Sequence, residues 1–244
     1  MGERMREELK TENVEKRYNS IKSIWDEKDL WHKYTYNFIK LYISENYKTD
    51  NNSLILNAGS AGNTYDILGT HVHVDISKSK LNGVTNSLVG DICNLPFDEN
   101  YFDYCVCVGS VINYCDAFRA IQELGRVLKN NGKLAIEFES SRSYEYLKNS
   151  KFNRSVAVVK TFYQGEEETL YVYSPKYIEN ILDINGFEIL NKRAFHIITP
   201  LIYIVNKNSN KASHFSKFDR YLHRVPIIRS FSSNVIMICQ KSFL

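Results

Sequence analysis

The chain has 244 residues, 43% of them apolar and 24% charged, and a net charge of +3. This composition excludes a disordered chain, and so small a charge gives no support to phosphate-driven nucleic-acid binding, which needs a dense basic face. The length suits one large α/β core with appendages better than two domains.

The five cysteines are scattered without a Cys-x-x-Cys pair, so neither a disulfide framework nor a zinc ribbon is indicated, and a reducing cytoplasm fits best. The opening "MGERMREELKTENVEKR" is charged and has no apolar stretch behind it. We therefore expect neither a signal peptide nor a transmembrane segment.

In chain order, Val14, Tyr18, Ile21 and Trp25 recur at helical spacing, and Trp31, Tyr34, Phe38 and Leu41 continue the rhythm. They predict two amphipathic helices in an N-terminal cap, residues 1–50. "SLILNAGSAGN", from Ser53 to Asn63, is too short for a helix and predicts a buried first strand ending in a tight turn. "HVHVDIS", "GVTNSLVGDI" and "YFDYCVCVGS" predict the next strands. Asp116 is a suitable N-cap for "AFRAIQELGRVLK", in which Ile121, Leu124 and Leu128 form one stripe and "NNG" is the expected stop. The strand "KLAIEFES" follows. A hairpin near 155–173 is predicted to turn at Gln164 and Gly165. Ser174 and Pro175 start a helix through Tyr177, Ile178, Ile181 and Leu182, ended by Asn185 and Gly186. "FEILNKRAFHII" and "SNVIMICQK" are the last strands. The connection between them, near 206–232, is basic with Phe215, Phe218 and Leu222 interleaved; it is read as a solvated surface helix, the alternative being a seat for an anionic acceptor or acidic lipid.

Alternating strands and helices predict an α/β protein with a largely parallel sheet covered on both faces, one compact unit over 51–244. In such a sheet the ligand lies at the carboxyl ends of the strands, where the turn Gly59 to Gly62 stands. Small residues there let the backbone approach a ligand closely. Asp75, ending the next apolar strand, is placed to accept hydrogen bonds from both hydroxyls of a ribose, although a helix cap before "SKSKL" explains it as well.

"LILNAGSAGN", "HVHVDIS", "VGDICNLPFDENYFDYCVCVGSVIN" and "RVLKNNGKLAIEFE" follow one another as do the motifs of the class I S-adenosylmethionine-dependent methyltransferases, which the chain resembles from Tyr18 onward. The resemblance implies a Rossmann-like seven-stranded mixed sheet with its last strand antiparallel, and S-adenosylmethionine as cofactor. It implies that Asn57 and Gly59, Ser60, Ala61 and Gly62 contact the methionine part, that Asp75 binds the ribose and that Ile76 presses on the adenine. Asp91 would accept from the adenine amine with Ile92 and Cys93 beside it, Gly109 and Ser110 would line the methyl-bearing centre, and Tyr18 would reach in from the cap. The chain departs from the family at Asn57, where an acid is usual, and at Ala61 and Asn63, where glycines are usual. Asn57 retains an amide oxygen able to accept from the cofactor's ammonium.

A nicotinamide-binding Rossmann enzyme also pairs a glycine turn with a distant acid, but Ala61 and Thr64 fall where its fingerprint needs glycines. For a hydroxyl acceptor a base is needed, and Glu139, His196 and His223 are the candidates near the ligand side, with His32 of the cap behind them; a structural role is the alternative for each. Cys105 and Cys107 share one face of a strand and are read as core, and no metal is assigned. Methylases of exocyclic base amines resemble one another in an Asp/Asn-Pro-Pro-Tyr-like motif after the fourth strand, where this chain has "VGSVINY". The expected acceptor is therefore a small molecule, lipid or peptide, methylated on oxygen or nitrogen. A non-catalytic module sensing the cofactor or its demethylated product is the second reading.

Overall fold

The apolar run β1 (Leu54–Ala58) pairs in parallel on one side with β2 (Thr70–Asp75), which pairs with β3 (Ser87–Val89), and on the other side with β4 (Phe102–Cys107), which pairs with β5 (Leu128–Glu139). The computed structural model describes residues 9–21, 24, 28–163 and 166–242. Trp25 and the turn residues Gln164 and Gly165 lie outside them, but the hairpin strands β6 (Val156–Tyr163) and β7 (Glu166–Tyr173) form an antiparallel pair of their own.

Two further strands, β8 (Phe187–Phe195) and β9 (Asn234–Lys241), complete a seven-stranded sheet of order β3-β2-β1-β4-β5-β9-β8. The last strand of the chain, β9, inserts between β5 and β8 and is antiparallel to both. The strand order reverses between β1 and β4, the switch point at which a crevice opens at the carboxyl edge.

Period-two burial explains why both faces are covered. Leu56, Cys105, Leu134 and Met237 share a core layer with Ile121 and Leu124 of α3 (Ala117–Val127) and with Ile178 and Leu182 of α4 (Pro175–Ile184). Their chain neighbours Ile55, Val106, Ala135 and Ile236 pack instead with Ile39 and Ile43 of α2 (Leu30–Asn46). Asp116 caps α3 by accepting from the Phe118 and Arg119 N–H groups, and Ser174 caps α4 through the Tyr177 N–H, with Pro175 in the first turn. α1 (Thr11–Ser20) lies across the crevice.

Four local expectations change. α3 ends at Val127, because Leu128 already turns extended and pairs with Phe102; the "NNG" stretch is an irregularity inside β5, with Asn131 at φ 62°. Leu41 is 59% exposed, and the buried face of α2 runs through Thr35, Ile39, Tyr42 and Ile43. The strand in "GVTNSLVGDI" shrinks to three exposed residues at the sheet edge. The basic connection is several short helices, α5 (Thr199–Asn206), α6 (Ser209–Ser213), α7 (Asp219–Leu222) and α8 (Pro226–Arg229), because Lys207 in the left-handed region and Pro226 interrupt it. Among the described residues no helix is long and apolar enough to cross a membrane.

Candidate active site

The turn after β1 is shaped by backbone angles that side chains resist. Gly59 has φ 70°, and a Cβ there would stand 2.5 Å from Cγ1 of Val111, a residue lining the cleft. Gly59→Ala is therefore expected to lower stability by about 2 kcal/mol, from left-handed strain plus displacement of Val111, and to narrow the cleft; a thermal melt and a ligand titration check it. Ala61 is also left-handed, at φ 48°, which accounts for the family's preference for glycine there. Its N–H donates to Asp75 Oδ2 at 3.0 Å, so the strained residue is held by a carboxylate.

Asp75 is nearly buried, and its other oxygen accepts from the Ser77 N–H at 2.8 Å. Desolvation pushes its carboxyl above the usual range, against the pull of these two hydrogen bonds. Asp75 does not cap the 3₁₀ turn Lys78–Leu81 that follows, whose N-cap is Ser77 without a side-chain cap bond; with four lone-pair sites the carboxylate keeps acceptor capacity for a ligand. Behind the turn, Ser60 Oγ lies 3.0 Å from His73 Nδ1 and accepts from the Gly62 N–H. Burial and neighbouring His71 push His73 down to about 4, so it is neutral at pH 7.

α1 covers the cleft through Thr11, Val14 and Tyr18. Thr11 Oγ1 donates to Asp91 Oδ2 at 3.3 Å, Asn19 Oδ1 accepts from Ser77 Oγ at 2.8 Å, and Lys80 Nζ donates to the Ile21 carbonyl. On its other side Arg17 is ion-paired with Glu168 of β7 at 2.8 Å. The helix is clasped between the sheet edge and the hairpin.

Tyr18, Gly59, Ser60, Asp75, Ile76, Asp91, Ile92 and Gly109 all line this cleft. Asn57, Ala61, Gly62 and Cys93 do not, and each has a physical reason. Asn57 is fully buried and its amide donates to His71 Nδ1 at 2.9 Å, with Oδ1 left unpartnered. The Ala61 and Gly62 amides are spent on Asp75 and Ser60. The Cys93 N–H donates to Asp91 Oδ1 at 2.9 Å, closing a local turn.

The loop after β4 is set by a residue that sequence reading missed. Gly109 and Ser110 are both left-handed, so their N–H groups converge on Glu137 Oε2, at 2.9 and 2.7 Å. Glu137 Oε1 accepts from Asn234 Nδ2 at 2.7 Å, and the carboxyl, raised by desolvation, has no solvent exposure. An acid set between Ile136 and Phe138 in the apolar strand "KLAIEFES" was the available signal.

A second cavity abuts the first, sharing Tyr18, Ile24, Gly109 and Tyr114 with it. Ser110 and Glu139 line this second space, together with Asp29, His32, Glu145 and Glu168. Burial and the nearby carboxylates of Glu168, Glu145 and Glu137 push Glu139 up to about 8. Glu168 is raised by burial, against the pull of the Arg17 guanidinium and the Tyr114 hydroxyl at 2.8 Å. His32 Nδ1 sits 2.7 Å from Asp29.

The two other histidine candidates are corrected. His196 is fully buried, stacked on Trp31 at 4.1 Å and held by the Thr35 and Thr199 hydroxyls at 2.7 and 2.9 Å; it pins α2 to the end of β8 and lines neither cavity. His223 follows α7 in the connection and lines neither. A histidine near a strand end was a positional argument, and packing decided otherwise.

Residues 56–136 match the family described as the methyltransferase domain. This segment is a class I S-adenosylmethionine-dependent methyltransferase domain. The chain is 26% identical over 140 residues to a demethylmenaquinone methyltransferase of Staphylococcus saprophyticus, a match covering 50% of this chain and 58% of that protein. It thus spans little more than half the length of the curated relatives it matches. Among solved structures, the methyltransferase domain and its flanks superpose on a protein of Pyrococcus horikoshii with a TM-score of 0.62 and 15% identity, over 93% of this chain and 99% of that one. An S-adenosylmethionine-dependent methyltransferase of Clostridium acetobutylicum gives a TM-score of 0.54 at 16% identity, over 86% and 92%. Identities this low speak to the fold.

Proposed function

We propose that the protein methylates an oxygen or nitrogen atom of a small-molecule, natural-product or peptide acceptor, using S-adenosylmethionine. The observation that carries this reading is the pair of abutting cavities, one edged by Gly59, Asp75 and Asp91 and the other by Glu139, with Tyr18, Gly109 and Tyr114 between them. The cofactor fits the first on chemical grounds. Asp75 offers acceptors to ribose hydroxyls, Asp91 to an exocyclic amine, and the missing Cβ at Gly59 lets Val111 pack against the turn, which keeps that cleft wall in place beside the methionine part. When bound, the cofactor supplies an electrophilic methyl group on a sulfonium. The protein's own part is to align an acceptor atom at the shared wall and keep water out, which α1 serves by closing over the cleft.

Glu139 then binds an amine or takes a proton from the acceptor. Both roles need the carboxylate, so transfer at low acceptor concentration should rise about tenfold per pH unit up to about 8 and then level off. Glu139→Gln should remove that limb and lower the rate roughly a hundredfold; kcat/KM against pH for a responsive acceptor is the measurement. A second readout needs no acceptor. The folded protein binds this proton more tightly than the unfolded chain, so its stabilising contribution is full below the ordinary glutamate value of 4.5 and is lost as pH rises through about 8. Wild-type thermal stability should fall relative to Glu139→Gln across that interval.

The five cysteines remain free thiols, which supports a cytoplasmic location. Isothermal titration with S-adenosylmethionine, S-adenosylhomocysteine and NAD tests the cofactor assignment. Binding of the first two and turnover with any acceptor support the proposal; binding of NAD alone, or of no ligand, would sink it.

A further inference from the structure

The segment from Ile198 to Ser232, which joins β8 to β9, differs from the rest of the surface in both charge and apolarity. Its six basic residues, Lys207, Lys211, Lys217, Arg220, Arg224 and Arg229, are all exposed. Its one acid, Asp219, is buried, accepting from the Tyr34 hydroxyl at 3.2 Å and from the Ile197 N–H. Among the described residues none of the six bases is ion-paired with a carboxylate.

The same segment holds eight of the eighteen large apolar side chains exposed among the described residues, a concentration that single surface residues do not explain. α5 turns Tyr203 to the second cavity and Leu201, Ile204 and Val205 to solvent, Val205 at 75% exposure. Phe215 and Phe218, exposed at either end of the 3₁₀ turn Ser216–Phe218, have their rings 6.3 Å apart, and exposed Tyr221 follows three residues on in α7. Lys217 Nζ lies 5.5 Å from the centre of the Phe218 ring and the Arg220 guanidinium 4.6 Å from that of Tyr221. Cation and apolar surface are therefore interleaved at the atomic scale.

We propose that this segment docks the protein on an anionic lipid bilayer, its lysines and arginines against headgroup phosphates and its exposed aromatic and aliphatic side chains at the headgroup boundary. Charge complementarity selects that occupant, since a second copy would set like charges against each other. Attachment is peripheral, as no described helix can span the membrane. Because Tyr203, Lys207, Asn208, Ser209 and Asn210 also rim the second cavity, docking brings the acceptor space to the bilayer surface.

Flotation of the full chain with vesicles of phosphatidylcholine alone, and of equal parts phosphatidylcholine and phosphatidylglycerol, tests the proposal. The protein should float only with the anionic vesicles and detach as salt is raised. Each basic residue at such a surface is worth roughly fivefold in affinity, so Lys217→Glu/Arg220→Glu/Arg224→Glu should bind roughly a hundredfold more weakly, with an unchanged melting temperature. Phe215→Ser/Phe218→Ser should weaken binding with every charge retained. Failure to float with anionic vesicles, equal flotation with neutral ones, or full binding by the folded triple variant would overturn the idea. So would light scattering that shows a dimer made monomeric by Phe215→Ser/Phe218→Ser, which would give the patch to a second copy. Flotation reads no methyl transfer and is independent of the function proposed above.

Discussion

Asp75→Ala is expected to lower the affinity for S-adenosylmethionine about a thousandfold, or about 4 kcal/mol, from the loss of two charge-assisted hydrogen bonds to the ribose and of the anchor on the turn. The second contribution is specific to this chain. Asp75 Oδ2 holds the N–H of Ala61, which sits at φ 48° without a glycine's freedom, so removing the carboxylate releases a strained residue at the cofactor's edge. Asp75→Asn separates the two effects. Its amide oxygen retains one turn contact but presents no charge, and its affinity should lie between wild type and alanine. Titration calorimetry on the three proteins checks the order. Unchanged affinity in Asp75→Ala would remove this residue from the site.

Glu137→Ala is expected to lower stability by about 4 kcal/mol, because the Gly109 and Ser110 N–H groups and the Asn234 amide lose their acceptor in a dry interior and each orphaned donor costs roughly 1–3 kcal/mol, partly offset by no longer burying a carboxylate. For a chain of this size the melting temperature should fall by about 10 °C. Cofactor affinity should fall as well, since Gly109 borders both cavities and its left-handed conformation depends on that carboxylate. Glu137→Gln keeps one acceptor oxygen and should lose less on both measures. A melt of Glu137→Ala superimposable on wild type would mean that the loop is held by other contacts.

Much of the fold could be read locally. The apolar run before Gly59, the caps at Asp116 and Ser174 and the period-two strands each depend on neighbours a few residues away, and the structure has them where the pattern put them. Asp75 could be placed at the cleft for the same reason, since it ends a short strand whose direction the alternation with helices sets, whereas Asp91 was placed there only by the family resemblance. Failures occurred where a local signal was ambiguous. "RVLKNNG" reads as helix followed by stop, yet Leu128 gains more from pairing with Phe102 than from a further helical turn.

Contacts between distant parts of the chain were beyond such reading. Glu137 reaches Asn234 across 97 residues and His196 reaches Thr35 across 161, and those two hydrogen bonds divide a loop-setting carboxylate from a merely packed histidine. The local sign at Glu137, an acid between Ile136 and Phe138, does not name its partners, and nothing near His196 names its own. The second cavity is likewise assembled from the cap, the β5 edge, the hairpin and the α5–α6 corner, and the pressure of three other carboxylates on Glu139 exists only once those pieces meet. Periodicity and turn chemistry are short-range and survive in the bare sequence, so the strands and the small-residue turn at their carboxyl edge were open to inference from it, while the antiparallel last strand came only from the family resemblance. Burial, electrostatic crowding and the shape of the acceptor space are sums over residues far apart in the chain, and folding alone brings those residues within range of one another.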